Sequence, residues 1–373
     1  MRKSRVLIIS NPLNHEGGIV NYYNLFFNNF KSNEFEIVHF SIGSRAWLFY
    51  YPTLKKVLYL FYLIYDIIRF FLTLVLNPNI KIIQVSPSLI PVPLIRDGIL
   101  VLIAKILRRR VIVFYRGWKL PTLNLIKNNK SIKWIFNTVY QKNTKQIVLA
   151  SSFKNDLKSL YNSNLTIDVT TTAIEKSSML AKDETKNDGI VNVLFLARIQ
   201  DLKGIFELID AIVLLNKLNK LNHFHFTIAG HEASKGVLLQ CTQKLEKEGI
   251  NNDNINFSGR VEGHLKYQLY SLNDVYVLPS YTEGCPNSVL EALASGLYCI
   301  TTDVGALFDI IKPGVNGSFV KIKSSEDIVK ELLNYLKTKF NTNFKIDSNL
   351  YKSEFDIEKQ VLEFNKRYKD LMF

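Results

Sequence analysis

Glu283-Gly284-Cys285-Pro286-Asn287-Ser288-Val289-Leu290-Glu291 decides how this chain reads. The apolar run 274–278 before it has the composition of a buried strand, and Pro279, Ser280 and Thr282 mark a loop after that strand. Pro286 suits the first helical position, and Asn287 and Ser288 are favourable residues at a helix start. The pattern predicts a strand, a tight turn and a helix. One carboxylate, Glu283, falls in the turn, and a second, Glu291, at least one turn into the helix. Backbone N–H groups at a helix start lack intrahelical partners and carry partial positive charge, which suits a phosphate. Gly284, Cys285 and Val289 share that cradle, while Glu291 can reach a neutral polyol edge. Such a cradle, with a carboxylate on each side, can hold a sugar, a diphosphate and a ribose. Two glutamates at this spacing on an ordinary helix are solvated charges; here the strand, the turn and the small-residue helix that follows set them apart.

Outward from this stretch, strands and helices alternate, which implies parallel sheets with covering helices, an α/β chain. Apolar runs at 6–9, 36–40, 80–85, 111–115 and 146–149 read as strands in the first half, and runs at 191–196, 224–229, 254–257, 275–278 and 298–301 in the second. The polar stretch 175–188 reads as a linker. The expected architecture is two doubly wound Rossmann-like domains, 1–174 and 189–355, facing across a cleft. Ligands in such sheets bind at the carboxyl ends of the strands.

Two more loops stand at such ends. Arg198 and Lys203, in Ala197-Arg198-Ile199-Gln200-Asp201-Leu202-Lys203-Gly204, follow the run 191–196, where a guanidinium and an ammonium can meet phosphate. Gly17 and Gly18 follow the first strand and let backbone approach an anion closely. They do not form G-x-G-x-x-G, which argues against a dehydrogenase.

The E-x7-E pattern in its GCPNSVLEALASG context resembles the retaining glycosyltransferases of the GT-B fold, especially glycosyltransferase family 4 (glycosyl transferases group 1). The resemblance implies that Arg198 and Lys203 neutralise the donor diphosphate, that Glu283 holds donor sugar hydroxyls, and that Glu291 holds the ribose. It makes Glu283, Arg198 and Lys203 the catalytic candidates. It places Gly17 and Gly18 near the diphosphate and the acceptor, Gly230 near the nucleotide, and Arg260 and Val261 beside the base. It also implies that a terminal helix, 356–373, packs back on the first domain. Glu283 is not expected to be a covalent nucleophile: by analogy the leaving phosphate takes the acceptor proton in a same-face substitution. One departure stands out. Many relatives carry histidine before Gly117, where this chain has Arg116, a candidate partner for a carboxylate or phosphate of either substrate.

The expected activity is sugar transfer from a nucleotide-diphospho-sugar to a glycan or lipid-linked saccharide acceptor in cell-surface polysaccharide synthesis, with no other cofactor. No D-x-D, H-E-x-x-H or Cys/His cluster offers a metal site, so fixed cations are expected to replace a metal ion. The alternatives are a non-transferring enzyme of the same fold, such as a nucleotide-sugar epimerase, and a non-enzymatic, membrane-bound polyanion-binding protein.

At 373 residues, with 47% hydrophobic residues, the chain can bury two cores. Its three cysteines have no metal or disulfide spacing, and no cleavable signal precedes the first strand, so a cytosolic setting is expected. The net charge of +14 calls for an anionic partner. Nucleic-acid modules are missing, so the expected partner is an anionic membrane at its inner face, met by Lys55, Lys56, Arg69 and Arg108 to Arg110 among apolar and aromatic neighbours. The apolar run 57–76 is long enough to span a bilayer, but Asp66 and Arg69 would each cost roughly 2.5–3.5 kcal/mol there on insertion scales. A crossover helix, buried or interfacial, is the expected reading.

Overall fold

A computed structural model describes residues 3–15, 17–43, 55–160, 165–176, 179–180, 189–250, 254–341 and 345–372. The chain divides into two compact units, unit 1 comprising Met1–Thr172 and Ile357–Phe373, and unit 2 Ala173–Asp356. Each is built on one six-stranded, wholly parallel sheet.

In unit 1 the strands are β1 (Ser4–Ser10), β2 (Phe35–Ser41), β3 (Ile80–Val85), β4 (Arg110–Tyr115), β5 (Lys145–Val148) and β6 (Ile167–Val169), in the spatial order β2-β1-β3-β4-β5-β6. Between them run α1 (Gly18–Asn29), α2 (Lys55–Leu76), α3 (Pro91–Ile106), α4 (Leu120–Asn128), α5 (Lys130–Phe136) and α6 (Ser151–Leu160). Helices on both faces leave the central strands no wet side, so Val6, Leu7 and Ile8 are fully buried in succession instead of alternating with polar residues.

Unit 2 contains β7 (Val191–Leu196), β8 (Phe224–Ala229), β9 (Ile255–Gly259), β10 (Val275–Leu278), β11 (Tyr298–Thr301) and β12 (Gly317–Phe319), ordered β12-β11-β10-β7-β8-β9. Its helices are α7 (Ile205–Lys217), α8 (Val237–Lys247), α9 (Gly263–Leu272), α10 (Asn287–Ala294), α11 (Leu307–Ile310), α12 (Ser325–Asn341) and α13 (Ser348–Glu354). The chain winds one way from β7 to β9, then crosses back to β10 and winds the other way. The strand order therefore reverses between β7 and β10, and the loops leaving these two strands flank a topological switch point, the place where open α/β sheets bind ligands.

The last helix, α14 (Ile357–Met372), belongs to unit 1. Its Phe364 packs edge-on against Phe26 with ring centroids 5.3 Å apart, and Tyr368 donates a 2.8 Å hydrogen bond from its hydroxyl to Gln84 Oε1 in the core.

Each sheet has one strand more than the apolar runs predict. The additions, β6 and β12, are three-residue strands at sheet edges, too short to show a period.

The α2 helix makes the crossover from β2 to β3, and its two central charges pair with one another. Asp66 is buried and lies 3.3 Å from the Arg69 guanidinium, which stacks 4.2 Å from the Phe40 ring centroid and donates to the Ser41 carbonyl. Arg69, its side chain still 36% exposed, is thus engaged within unit 1. Arg109 is engaged as well, donating at 3.1 and 3.2 Å to the carbonyls of Leu74 and Pro78 at the end of α2. Arg108 and Arg110 remain exposed, and the side chains of Lys55 and Lys56 lie outside the described residues. No helix among the described residues is long and apolar enough to cross a membrane.

Candidate functional site

The site in unit 2 is made by two loops at the carboxyl ends of the switch-point strands. After β7, the chain runs through Arg198 into a single 3-10 turn, Asp201–Lys203, and then Gly204 at φ 74° starts α7. After β10, it runs through Pro279 to Pro286 and starts α10 at Asn287. Pro286, expected at the first helical position, instead sits just before the helix, with the extended ψ of 119°. Its missing N–H costs nothing at either position.

The two loops are fastened together through backbone. Tyr281 N–H donates at 3.0 Å to Leu202 O. A Cβ on Gly204 would lie 2.2 Å from Pro279 O, so only glycine allows this approach at that φ. On the other side, Thr302 donates from its hydroxyl at 2.6 Å to Ser280 O, and Ala306 N–H donates at 2.8 Å to Gly284 O. A Cβ on Gly305, at φ 61°, would lie 2.4 Å from Glu283 O.

This framework positions Glu283. Its Oε1 accepts hydrogen bonds from the Lys203 ammonium at 2.5 Å and the Ser280 hydroxyl at 2.6 Å. The carboxylate side chain is only 8% exposed and that of Lys203 16%, so the pair is screened little by water. Arg198, by contrast, is exposed at the rim and has no ion pair among the described residues.

Next to Glu283 is the start of α10. No side chain caps it and no acidic residue lies in its first turn. The amides of Asn287 and Ser288 therefore provide the partial positive charge of a helix end. In the strand before it, the Tyr276 hydroxyl donates at 2.8 Å to Leu196 O.

One turn further, Glu291 is 8% exposed, with each oxygen held: Oε1 accepts from Lys266 Nζ at 2.7 Å and Oε2 from the Tyr270 hydroxyl at 2.9 Å. Burial pulls the Lys266 ammonium down, but the Glu291 carboxylate and Tyr267 outweigh it, and its pKa ends above the ordinary lysine value. Burial, reinforced by Glu291, pushes the Tyr270 phenol well up, so it remains a donor. Both partners lie on α9, four residues apart and hence on one face.

The other expected site residues are placed as follows. Gly230, at φ 150°, accommodates a backbone crossing: a Cβ there would lie 1.8 Å from Ala197 O, so the close approach it permits is to the β7 loop. Arg260 is exposed and pairs with Glu262 at 2.5 Å, beside the half-buried Val261. Gly284 and Cys285 complete the turn before Pro286, and Val289 is fully buried under α10. In unit 1, Gly17 (φ 136°) precedes α1 and Gly18 opens it, with nothing within 4 Å of where a Cβ would stand on either. Arg116 is buried: its guanidinium lies 3.5 Å from the Tyr22 ring centroid, and Nη2 donates at 3.0 Å to the Thr172 hydroxyl. Lys203, Glu283, Gly284 and the α10 start thus form one junction, with Glu291 one helical turn away.

Sequence reasoning overlooked Ser280, Thr302, Lys266 and Tyr270. The i, i+4 pair in His264-Leu265-Lys266-Tyr267-Gln268-Leu269-Tyr270 was a usable signal; the two hydroxyl residues gave none before their loops were brought together.

Comparison with known proteins fits this geometry. An uncharacterized glycosyltransferase of Methanocaldococcus jannaschii is 26% identical over 208 residues, 53% of this chain and 51% of that protein. The UDP-Gal:alpha-D-GlcNAc-diphosphoundecaprenol alpha-1,3-galactosyltransferase of Escherichia coli is 29% identical over 101 residues, 27% of this chain and 26% of that one. The chain thus matches about half the length of the first relative and about a quarter of the second. Among solved structures, sucrose-phosphate synthase from Thermosynechococcus elongatus superposes with a TM-score of 0.73 at 14% identity, covering 99% of both chains. Anabaena HepE in complex with UDP-glucose gives a TM-score of 0.69 at 13% identity, covering 98% of this chain and 100% of that one. At these identities the likeness shows the fold: two Rossmann-like domains of the GT-B class. Residues 178–353 match the family described as Glycosyl transferases group 1, so unit 2, which contains all of them, carries a Glycosyl transferases group 1 domain.

Proposed function

We propose that this chain is a retaining, metal-independent glycosyltransferase. It moves a sugar from a nucleotide-diphospho-sugar to a glycan or lipid-linked saccharide in cell-surface polysaccharide synthesis, working at the inner face of the cytoplasmic membrane. The observation that carries the reading is the Lys203–Glu283 junction at the open start of α10, with Glu291 one turn further on. A diphosphate against the Asn287 and Ser288 amides would meet Lys203, and Arg198 at the rim would add a second cation. As the bond to the sugar breaks, charge grows on that diphosphate, and these fixed positive groups stabilise it more strongly than in the ground state. Glu283, released from Lys203 by the incoming phosphate, would be free to hold sugar hydroxyls, and Glu291 the ribose. Names of relatives and neighbours support the substrate classes: one neighbour was solved with UDP-glucose, and one relative is named for a diphosphoundecaprenol-linked acceptor.

The test is transfer from a panel of nucleotide sugars to polyprenyl-diphosphate-linked and free saccharides, with the anomeric configuration of the product read by NMR. The expected product keeps the donor's configuration and forms in excess chelator. An inverted product, or activity lost to chelator and restored by manganese, overturns the corresponding part of the reading. Donor epimerised without transfer overturns the whole.

A further inference from the structure

The outer surface of α2 and α3 is unlike that of the other helices. From residue 61 onward every exposed position of α2 is apolar or aromatic, and Phe61, Ile64, Ile68, Leu72 and Leu76 mark the stripe. The neighbouring helix α3 repeats the pattern with Val92, Ile95, Leu102 and Ile106. A helix on a soluble surface normally turns charge outward. Here the charges are used inside the unit: Asp66 with Arg69, Asp97 with Arg96 at 2.6 Å, and Lys105 on the carbonyls of Val139 and Lys142 at 2.6 Å. The next crossover carries α5, whose Trp134 is 67% exposed; α5 runs into a π-helical turn, Asn137–Gln141, that packs on α3. The right-handed crossover rule places these helices on one side of the sheet. Exposed cations stand next to these helices in the chain: Arg108 and Arg110 just after α3, Lys127 in the last turn of α4 and Lys130 at the start of α5.

We infer that this face seats unit 1 on a lipid bilayer by shallow insertion, the α2 and α3 stripes lying among the outer acyl segments and the flanking cations against anionic headgroups. Contiguous exposed apolar surface marks an interaction site, and an aromatic and aliphatic stripe bordered by cations suits a headgroup boundary. Charge chooses the occupant. A two-fold pairing of the face would bring together two chains of net charge +14, cation rims included, whereas an anionic leaflet attracts the same charge. This differs from purely electrostatic attachment, because part of the binding resists salt. It deepens and rests on the membrane part of the proposed function but not on sugar transfer, which nucleotide binding measured in the same samples tests separately.

The experiment uses the full chain with vesicles of phosphatidylcholine, alone or mixed with phosphatidylglycerol. Binding is expected to both, tighter to the mixture, with high salt removing the difference but not the binding. Trp134 emission should shift to the blue on binding, and the shift should vanish in Trp134→Phe. Replacing Ile64, Ile68 and Leu72 together by Gln should weaken partitioning to both vesicle types by about tenfold or more, since each buried methylene contributes to the transfer. Circular dichroism and uridine diphosphate affinity should stay unchanged. Ile68→Gln alone tests the same point should the triple variant misfold, and Leu239→Gln, on the exposed side of α8, serves as an inert control. Salt abolishing all binding, or Gln variants binding as wild type does, overturns the inference. So does a wild-type dimer that the Gln variants dissociate while vesicle binding is unchanged.

Discussion

Lys203 and Glu283 neutralise one another across 2.5 Å, although they come from loops 80 residues apart in the chain. The pair occupies the position where donor phosphate and donor sugar are expected to part. Each member holds the other in place, and on the proposed reading gives it up when a donor enters. Removing one member therefore acts differently on binding and on turnover.

Glu283→Gln frees the Lys203 ammonium. Uridine diphosphate affinity is expected to hold or rise, while transfer falls by about a hundredfold, the scale of a lost orienting contact at a reacting centre. Lys203→Ala and Arg198→Ala should each weaken diphosphate binding by about 1.5–3 kcal/mol, the worth of a hydrogen bond to a charged group. Calorimetry and turnover measured side by side check both; equal loss of binding and turnover in Glu283→Gln would refute the exchange of partners.

Glu291 depends on Lys266 and Tyr270. Lys266→Met leaves a nearly buried carboxylate with one donor, and unit 2 should lose about 1–3 kcal/mol, less than a fully buried pair because Lys266 is 23% exposed. The pH dependence has a definite sign. A lysine raised above its ordinary value contributes stability that is fully present below about pH 10.4, the unfolded value, and is lost as pH rises through the folded value. The stability gap between wild type and Lys266→Met should thus be flat through neutral pH and narrow only above the ordinary lysine range. Urea unfolding at a series of pH values reads it.

Gly204 and Gly305 hold the site's backbone rather than its chemistry. A Cβ at either position meets a carbonyl oxygen well inside contact distance, at 2.2 and 2.4 Å, with φ positive in both cases. Gly204→Ala and Gly305→Ala should each cost about 1–3 kcal/mol and displace the loop they fasten. Nucleotide affinity should fall in parallel with stability. Stability unchanged in both, by urea titration, contradicts the packing described.

Arg116 should behave as a structural residue. Its guanidinium is stacked on Tyr22 and bonded to Thr172, so Arg116→Met should lower the melting temperature of unit 1 by several degrees, a cost of about 1–3 kcal/mol. Uridine diphosphate affinity is expected to remain that of wild type. A selective loss of donor binding with the melt unchanged would place the residue among the donor ligands instead.

The sheets were legible because parallel strands are near-continuous apolar runs: the expected 80–85, 191–196, 224–229 and 298–301 coincide with β3, β7, β8 and β11. The carboxylates of the site were legible because a strand, a proline turn and a small-residue helix are all local. Their partners were not. Lys203 meets Glu283 only after the strand order has reversed and β10 lies beside β7, Thr302 meets Ser280 only after β11 pairs with β10, and Lys266 meets Glu291 only after α9 and α10 pack together. Asp66 and Arg69 were read as charges that limit membrane depth; which way they point depended on the Ser41 carbonyl and the Phe40 ring, from a strand that precedes them.

The membership of α14 in unit 1 bears on how the protein comes off the ribosome. Unit 2 is one continuous stretch, Ala173–Asp356, and holds every segment it needs. Unit 1 is interrupted: Phe364 and Tyr368, both fully buried in it, are synthesised after the whole of unit 2. Until then the pocket around Phe26, Phe114 and Gln84 stands open to water, apolar surface that a chaperone can grip. The first unit to be translated is thus the last to be completed, and its waiting time is the time taken to make the other.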